Sequence, residues 1–168
     1  MKQLSFILFL FFAFSSCDSI AQKPAANGLK WYTDINEAQK QSQATHKPIF
    51  ALFTGSDWCI WCHRLQNDVF DKPEFVQWAK KNVILLELDF PRTKQLAPEL
   101  AKQNNELQNV FKVQGFPTVW IFTLNQDSAT KKMNIAALGS TGYPQGAEPG
   151  KEQVKFLSDA NKILANKS

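Results

Sequence analysis

The stretch that decides the fold is Phe53-Thr54-Gly55-Ser56-Asp57-Trp58-Cys59-Ile60-Trp61-Cys62, in which two cysteines are separated by two residues. The chain has three cysteines in all, and the other one, Cys17, lies in the N-terminal region. A structural disulfide gains stability by closing a long loop between distant segments, and this pair would close only a very short one. We therefore predict that Cys59 and Cys62 are a reactive pair and not a structural cross-link.

The residues around the pair indicate how that chemistry would work. The apolar run Ile49–Phe53 is typical of a strand buried on both faces. If a helix begins near Cys59, its free backbone N–H groups and its dipole favour a thiolate there, and the thiol pKa falls from about 8.5 towards neutrality. Cys62 would lie one turn further along the same face. We expect Cys59 to be the exposed nucleophile and Cys62 to resolve the mixed disulfide.

Two other kinds of site can contain this spacing. A zinc site needs two more nitrogen or sulfur ligands, and the chain offers only His46 and His63. His63 directly follows Cys62, so its ring is badly placed to share a metal with both thiolates. Cys59 to His63 also spells C-x-x-C-H, the attachment signature of a c-type haem. A small cytochrome is mostly helical, whereas this sequence has three or four β-rich apolar runs. We therefore predict a redox pair without metal or organic cofactor, with the haem protein as a less favoured alternative.

The pattern along the rest of the chain predicts an α/β sandwich with a central mixed sheet of four to five strands flanked by helices. Asp34 is expected to cap the first helix. In the last helix, Val154, Leu157 and Leu164 are expected to share one apolar face, with Ile163 beside them. Strands are predicted at Ile49–Phe53, Val83–Asp89, Val119–Phe122 and Asn134–Leu138, and helices at Ile35–Thr45, Pro73–Trp78, Pro98–Val113 and Glu152–Leu164.

The N-terminus has the features of an export signal. Met1-Lys2 supplies a positive charge, and Leu4–Phe14 is an apolar run shorter than the ~20 residues that span a bilayer. Ser19-Ile20-Ala21 resembles a signal-peptidase site, which would make residues 1–21 a signal peptide. Alternatively, Ser15-Ser16-Cys17 resembles a lipoprotein box, and Cys17 would then carry a lipid anchor. Both endings predict an exported protein, either periplasmic or anchored at the membrane surface.

One domain is expected beyond this signal. Residues 22–28 form a short polar linker, and residues 29–168 are long enough for a single buried core. The net charge is +4, from 19 basic and 15 acidic residues that are interspersed. Because no block of lysines and arginines occurs, nucleic-acid binding is not expected.

Two motifs together carry a resemblance to a known family. The stretch around the cysteines resembles the active site of the thioredoxin superfamily, in which an aromatic residue precedes the first cysteine, as Trp58 does here. Gly115-Phe116-Pro117-Thr118 resembles the cis-proline loop of that superfamily. The resemblance extends over Leu29–Leu164 and is most similar to an exported subgroup related to the C-terminal domain of the DsbD reductase, with Val69-Phe70 as a matching pair. It implies a thioredoxin fold and a thiol–disulfide oxidoreductase.

The resemblance also implies residue roles and partners. The Phe116-Pro117 bond would be cis, and this loop would face the disulfide and pair with an extended substrate. Trp58 would be either a platform against the disulfide or a core aromatic, and Trp61 an exposed contact for partners. The partners implied are protein thiols and disulfides. A membrane electron donor would keep the cysteine pair reduced, so the protein would act more as a reductase than as an oxidase. A binding or chaperone-like module with little turnover is the alternative.

One position departs from the superfamily pattern. The residue six before the first cysteine is an acid in thioredoxins, where it accepts the proton of the resolving thiol, but it is Phe53 here. Glu87, in the strand Val83–Asp89, is the nearest candidate substitute, and Asp57 and His63 flank the motif. The sequence therefore leaves the proton acceptor open among these three residues.

Overall fold

The computed structural model describes residues 27–126 and 133–166. The expected signal at 1–21, with Cys17, and most of the linker lie outside the described residues. Within them, no helix is both long and apolar enough to cross a membrane. In chain order the elements are β1 (Trp31–Tyr32), α1 (Ile35–Thr45), β2 (Ile49–Thr54), α2 (Ile60–Leu65) continued by a π-helical turn (Gln66–Phe70), α3 (Pro73–Asn82), β3 (Ile84–Asp89), α4 (Pro98–Val110), β4 (Thr118–Gln126), β5 (Met133–Gly142) and α5 (Glu152–Ala165).

The five strands form one mixed sheet in the order β1-β3-β2-β4-β5. Strands β1, β3 and β2 are parallel, while β4 is antiparallel to both β2 and β5. Strand β2 lies at the centre, where Phe53 is opposite Leu88 of β3 on one side and Thr118 of β4 on the other. Every residue of β2 is buried. This confirms the predicted thioredoxin fold with its central mixed sheet.

Each face of the sheet packs its own apolar core because side chains alternate along β2. Phe50 and Leu52 belong to the core beneath α2, α3 and α5. Ile49, Ala51 and Phe53 belong to the core beneath α1 and α4. Both faces of the central strand are therefore covered by helices, which explains the unbroken apolar run in its sequence.

The local predictions for the first and last helices have different outcomes. Asp34 caps α1 as expected, accepting a 2.7 Å hydrogen bond from the backbone N–H of Asn36. In α5 the predicted face is wrong at Val154, which is 57% exposed, while Leu157 and Leu164 are partly buried against the core. Phe156 is fully buried instead, and its ring lies 6.1 Å from that of Phe50 and 5.8 Å from that of Phe70. Packing against these two rings fixes the rotation of the helix.

The structure adds a strand that the sequence pattern did not indicate. Trp31 and Tyr32 pair in parallel with Leu85 and Leu86 of β3 and form one edge of the sheet. The strand is too short to show an alternating pattern, so its pairing depends on β3 and not on its own sequence.

Candidate active site

The cysteine pair lies at the N-terminus of α2, directly after the loop that follows β2. Cys59 is the N-cap residue, and its backbone N–H donates to the Gly55 carbonyl at 2.9 Å. Cys59 and Cys62 are joined by a disulfide with an S–S distance of 2.09 Å. Cys59 is only 5% exposed, so it is less accessible than the exposed nucleophile predicted from the sequence.

The backbone around Cys59 suits a sulfur anion. The N–H of Cys62 points at the Cys59 sulfur, with a nitrogen–sulfur distance of 3.1 Å. The same N–H also donates to the Cys59 carbonyl at 3.0 Å, so the sulfur shares this donor with the first turn of α2. The same donor and the helix dipole would favour a thiolate on Cys59 in the reduced protein.

Trp58 is held rigidly beside the disulfide. Its indole N–H donates to the Phe90 carbonyl at 2.8 Å, and its ring centroid lies 5.9 Å from that of Phe116. Gly55 is needed beneath it, since a Cβ there would lie 2.4 Å from Cε2 of the indole. Trp58 lines a cavity together with Cys59. Trp58 is thus half-buried, with its ring at the wall of the cavity that Cys59 also lines.

Trp61 stands between the cysteines and is 45% exposed. The guanidinium carbon of Arg64 lies 4.7 Å from the centroid of its ring, and the ring of Tyr143 meets it edge-on at 5.0 Å. The Tyr143 hydroxyl in turn donates to the Asp68 carboxylate at 2.8 Å. Tyr143 was not among the predicted site residues. It follows β5 in a loop rich in glycine and proline, and nothing local in the sequence signals a contact so far along the chain.

The proline loop lies next to the cysteine pair, as the resemblance implied. The Phe116-Pro117 peptide bond is cis. The Thr118 hydroxyl donates to the Gly115 carbonyl at 2.7 Å and closes the loop. Gly142, at the end of β5, lets this loop approach closely, because a Cβ there would lie 3.1 Å from the Pro117 carbonyl oxygen.

Two adjoining cavities form a groove across the site, and both are lined by Trp61 and Phe116. Their volumes are about 420 Å³ on the Cys59 side and about 290 Å³ on the Pro117 side. The first is lined by Trp58, Cys59, Ile60, Trp61, Arg64 and Phe116. The second is lined by Trp61, Phe116, Pro117, Gly142, Tyr143 and Gln145.

Asp57 fastens the loop before the cysteines to the loop after β3. Its carboxylate accepts hydrogen bonds from the backbone N–H of Arg92 at 3.0 Å and from the backbone N–H and hydroxyl of Thr93 at 2.7 and 2.5 Å. These bonds, with that from the Thr93 hydroxyl first, lower the pKa of Asp57 from 3.8 to about 2. Asp57 is therefore ionised at neutral pH, with its oxygens already occupied.

His63 belongs to a polar chain that runs back to β3. Its Nε2 lies 2.9 Å from the Ser56 carbonyl oxygen and donates to it, because a carbonyl only accepts. Ser56 donates through its backbone N–H and its hydroxyl to Asp89, at 2.8 and 2.6 Å, and Lys94 pairs with the same carboxylate at 3.0 Å. The Nε2 of His63 is therefore engaged, and both cysteine sulfurs are joined to each other.

His46, the other histidine of the chain, lies away from the cysteine pair. His46 caps the C-terminal end of α1, just before β2 begins, whereas the cysteine pair follows the other end of β2. Among residues 27–126 and 133–166, no three His, Cys, Asp or Glu side chains come together as a metal site.

Glu87 is a partly buried carboxyl on the sheet. It lies opposite Leu52, on the face of the sheet that α2 covers. Burial raises its pKa above 4.5, the neighbouring Asp89 raises it further, and Lys94 lowers it. Phe53, the position that carries the acid in thioredoxins, belongs to the other core, beneath α1 and α4.

Comparison with known sequences agrees with this site. Residues 35–133 match the family model described as a thioredoxin-like domain. The chain is 34% identical over 119 residues to a protein of Chlamydia pneumoniae named disulfide bond reductase DsbH, an alignment that covers 71% of this chain and 70% of that one. It is 23% identical over 144 residues to the thioredoxin-related protein DsbJ of the same organism, covering 86% of this chain but 39% of that longer protein.

Comparison with solved structures gives the same result. A structure of a DsbH oxidoreductase matches 89% of this chain and 95% of its own, with a TM-score of 0.66 and 31% identity. A thioredoxin from Thermus thermophilus matches 80% of this chain and 86% of its own, with a TM-score of 0.53; at 16% identity it supports the fold alone. With its cysteine pair at a helix N-terminus beside a cis-proline loop, the chain belongs to the thioredoxin-like domain family and is a thiol–disulfide oxidoreductase.

Proposed function

We propose that this protein reduces disulfides of other exported proteins, with Cys59 and Cys62 carrying the electrons and no metal or organic cofactor taking part. The observation that carries the proposal is the position of the pair: Cys59 lines the groove at the first turn of α2, and Cys62 lies buried one turn behind it. The relative named disulfide bond reductase DsbH supports the same activity.

The chemistry is a two-electron exchange. The Cys59 thiolate attacks one sulfur of the substrate disulfide and forms a mixed disulfide, and the other substrate sulfur leaves as a thiolate that takes up a proton. Cys62 then loses its proton and attacks the Cys59 sulfur, which releases the second substrate thiol. The substrate has gained two electrons and two protons, and the protein holds the Cys59–Cys62 disulfide.

Glu87 is the acceptor we propose for the Cys62 proton. It lies on the face of the sheet covered by α2, and its raised pKa makes it a better base than an exposed carboxylate. Asp57 is less suited, because its low pKa and its hydrogen bonds to the loop after β3 leave it a weak base. His63 is less suited because its Nε2 is bonded to Ser56.

Reduction is the proposed direction because the groups around Cys59 stabilise its thiolate only moderately. Strong oxidants owe their potential to a very stable reduced thiolate. Here the thiolate is favoured by the helix N-terminus and the Cys62 N–H, while Ile60 and Trp61 between the cysteines add no charge. We therefore expect a potential nearer thioredoxin's roughly −270 mV than the roughly −120 mV of strong oxidants.

The proposed location requires a source of electrons. An apolar N-terminus that ends in a cleavage site at Ala21 or a lipidated Cys17 would place the domain in the periplasm or on the membrane surface. Such compartments are oxidising, so a reductase there needs a partner that returns electrons to it. A membrane electron donor is the partner we propose for this step, with protein disulfides as the substrates.

A binding or chaperone-like module is the second candidate, and the exposed apolar side chains at the site favour it. Ile60 is 69% exposed and Trp61 is 45% exposed, and both line the groove. The two functions separate when both cysteines are replaced by serine. A binding module keeps its affinity for unfolded segments in that variant, whereas a reductase loses its activity entirely.

The reduction potential tests the proposal. The purified protein is equilibrated with glutathione buffers of graded composition, and its free thiols are counted after acid quenching. A value near −270 mV is expected. A value above about −150 mV would make the protein an oxidase and reverse the assignment.

A further inference from the structure

Two arginines lie over the two tryptophans that flank Cys59. The guanidinium carbon of Arg92 is 3.7 Å from the ring centroid of Trp58, and that of Arg64 is 4.7 Å from the ring of Trp61. Both arginines are exposed. Each positive charge is therefore held over an aromatic ring that also lines the groove.

Neither guanidinium pairs with a carboxylate within the part of the chain that the structure describes. The nearby acids are engaged elsewhere, since Asp57 accepts from the loop at residues 92–93 and Asp68 accepts from Tyr143. By contrast, Lys94 in the same region is neutralised by Asp89 at 3.0 Å. The arginines are thus the basic groups at this groove that remain free to bind an anion.

Stacking prepares both arginines for such a contact. A guanidinium held over an indole keeps its N–H groups at the edge, where they can bind a carboxylate in a forked geometry. Because the ring has already restricted the side chain, less conformational entropy is lost when an anion binds. The apolar groove lined by Trp61 and Phe116, with Arg64 at its wall, has room for the apolar side chains of an extended segment.

We propose that the groove selects protein disulfides whose cysteine lies beside an acidic residue, with Arg64 and Arg92 as the specificity-determining residues. The inference rests on the proposed reductase function and adds a substrate class to it. Acidic side chains next to the target cysteine bind the arginines, while apolar neighbours enter the groove. A basic residue in the same place is repelled by both guanidinium groups.

The test uses single turnovers of the pre-reduced protein, so no electron donor is needed. Two cyclic peptides are compared, each closed by one disulfide and identical except for Asp or Lys beside the reactive cysteine. The neutral hydroxyethyl disulfide serves as a third substrate. Second-order rate constants are measured at low and high ionic strength. The wild type is expected to prefer the Asp peptide, and salt is expected to weaken the preference because the charges are exposed.

The variants assign the preference to residues. Arg64→Gln and Arg92→Gln are each expected to lower the Asp/Lys rate ratio by about two- to fivefold. The matched control is Lys81→Gln, an exposed basic residue at the end of α3 away from the groove, which is expected to leave the ratio unchanged. Equal rates for the two peptides in the wild type would overturn the proposal. The proposal would also be overturned if the arginine variants lost the same fraction of the rate constant on both peptides. In that case the arginines would act on the Cys59 thiolate and not on the substrate. Failure to reduce even hydroxyethyl disulfide would overturn the reductase function itself.

Discussion

The Tyr143 hydroxyl donates a 2.8 Å hydrogen bond to the Asp68 carboxylate, across 75 positions of the chain. Asp68 belongs to the π-helical turn that continues the cysteine-bearing helix, and Tyr143 follows β5. The ring of Tyr143 also supports Trp61. Burial and the bond to Asp68 raise the pKa of Tyr143, so its hydroxyl stays protonated at neutral pH and keeps donating. This bond therefore connects Tyr143, which lines the groove, to the helix that carries the two cysteines.

Removing this hydroxyl tests the connection. Tyr143→Phe keeps the ring against Trp61 but loses the bond to Asp68, and we expect unfolding free energy to fall by about 1 kcal/mol. The rate of protein-disulfide reduction should fall with it. Urea denaturation and single-turnover rates measure the two effects. Tyr32→Phe, in the edge strand β1, is the matched control and should not change the rate. A Tyr143→Phe protein as stable and as fast as the wild type would contradict a role for this bond.

The division of labour between the cysteines predicts opposite behaviour of the two single variants. Cys62→Ser leaves Cys59 able to attack but removes the resolving thiol, so mixed disulfides with partners should accumulate. Cys59→Ser should trap nothing, because Cys59 lines the groove whereas Cys62 lines neither of its two cavities. Non-reducing electrophoresis and mass spectrometry count the trapped species. Equal trapping by both variants would show that the nucleophile is misassigned.

The raised pKa of Glu87 predicts how stability depends on pH. A carboxyl whose pKa is higher in the folded than in the unfolded protein favours folding while protonated, and this benefit is lost as pH rises through the folded value. Above that value, the buried charge of Glu87 costs stability. Glu87→Gln should therefore stabilise the protein at pH 7–8, by on the order of 1 kcal/mol. The gain should vanish below about pH 4, where the unfolded carboxyl is protonated as well.

Chemical denaturation at several pH values measures this difference. Glu106→Gln is the control, since Glu106 is 65% exposed and makes only a long 3.9 Å contact with Lys102. If Glu87 also accepts the Cys62 proton, release of the mixed disulfide should slow in Glu87→Gln and lose part of its pH dependence. If the difference in unfolding free energy between Glu87→Gln and the wild type is no larger at pH 8 than at pH 4, the burial argument is refuted.

Asp57 predicts the opposite dependence at acid pH. Its folded pKa of about 2 lies below its ordinary value of 3.8, so its stabilisation is present above pH 4 and is lost as pH falls through 2. Asp57→Asn lacks this contribution at every pH and should melt earlier at pH 7, with the two melting curves converging towards pH 2. Thermal unfolding followed by circular dichroism checks this. A constant offset between the two proteins down to pH 2 would exclude the titration of Asp57 as its cause.

Much of the site could be predicted because its signals are local. The spacing of Cys59 and Cys62 and the proline at position 117 stand in the sequence itself, and backbone propensities place the pair at a helix start. The same holds for β2, whose burial on both faces is visible as a continuous apolar run. These features need no knowledge of what packs against them.

Other features depend on distant contacts and could not be predicted. In α5 two apolar faces compete in the sequence, and only the rings of Phe50 and Phe70 decide that Phe156 is buried while Val154 is exposed. Tyr143 joins the site through partners far from it along the chain. A side chain whose role is set by tertiary packing leaves no periodic signal.

The π-helical turn at Gln66–Phe70 sets how the cysteines at the start of the helix are oriented relative to the core residues at its end. Its i→i+5 hydrogen bond, from the Asp71 N–H to the Gln66 carbonyl at 2.9 Å, accommodates one residue more than an α-helical turn would hold. Each residue of an α-helix rotates the next by roughly 100°. Deleting one residue here would therefore swing the downstream side chains of Val69 and Phe70 off the core, or turn the cysteines away from the groove. The extra residue of the π-helical turn therefore allows the cysteines to face the groove while Val69 and Phe70 face the core.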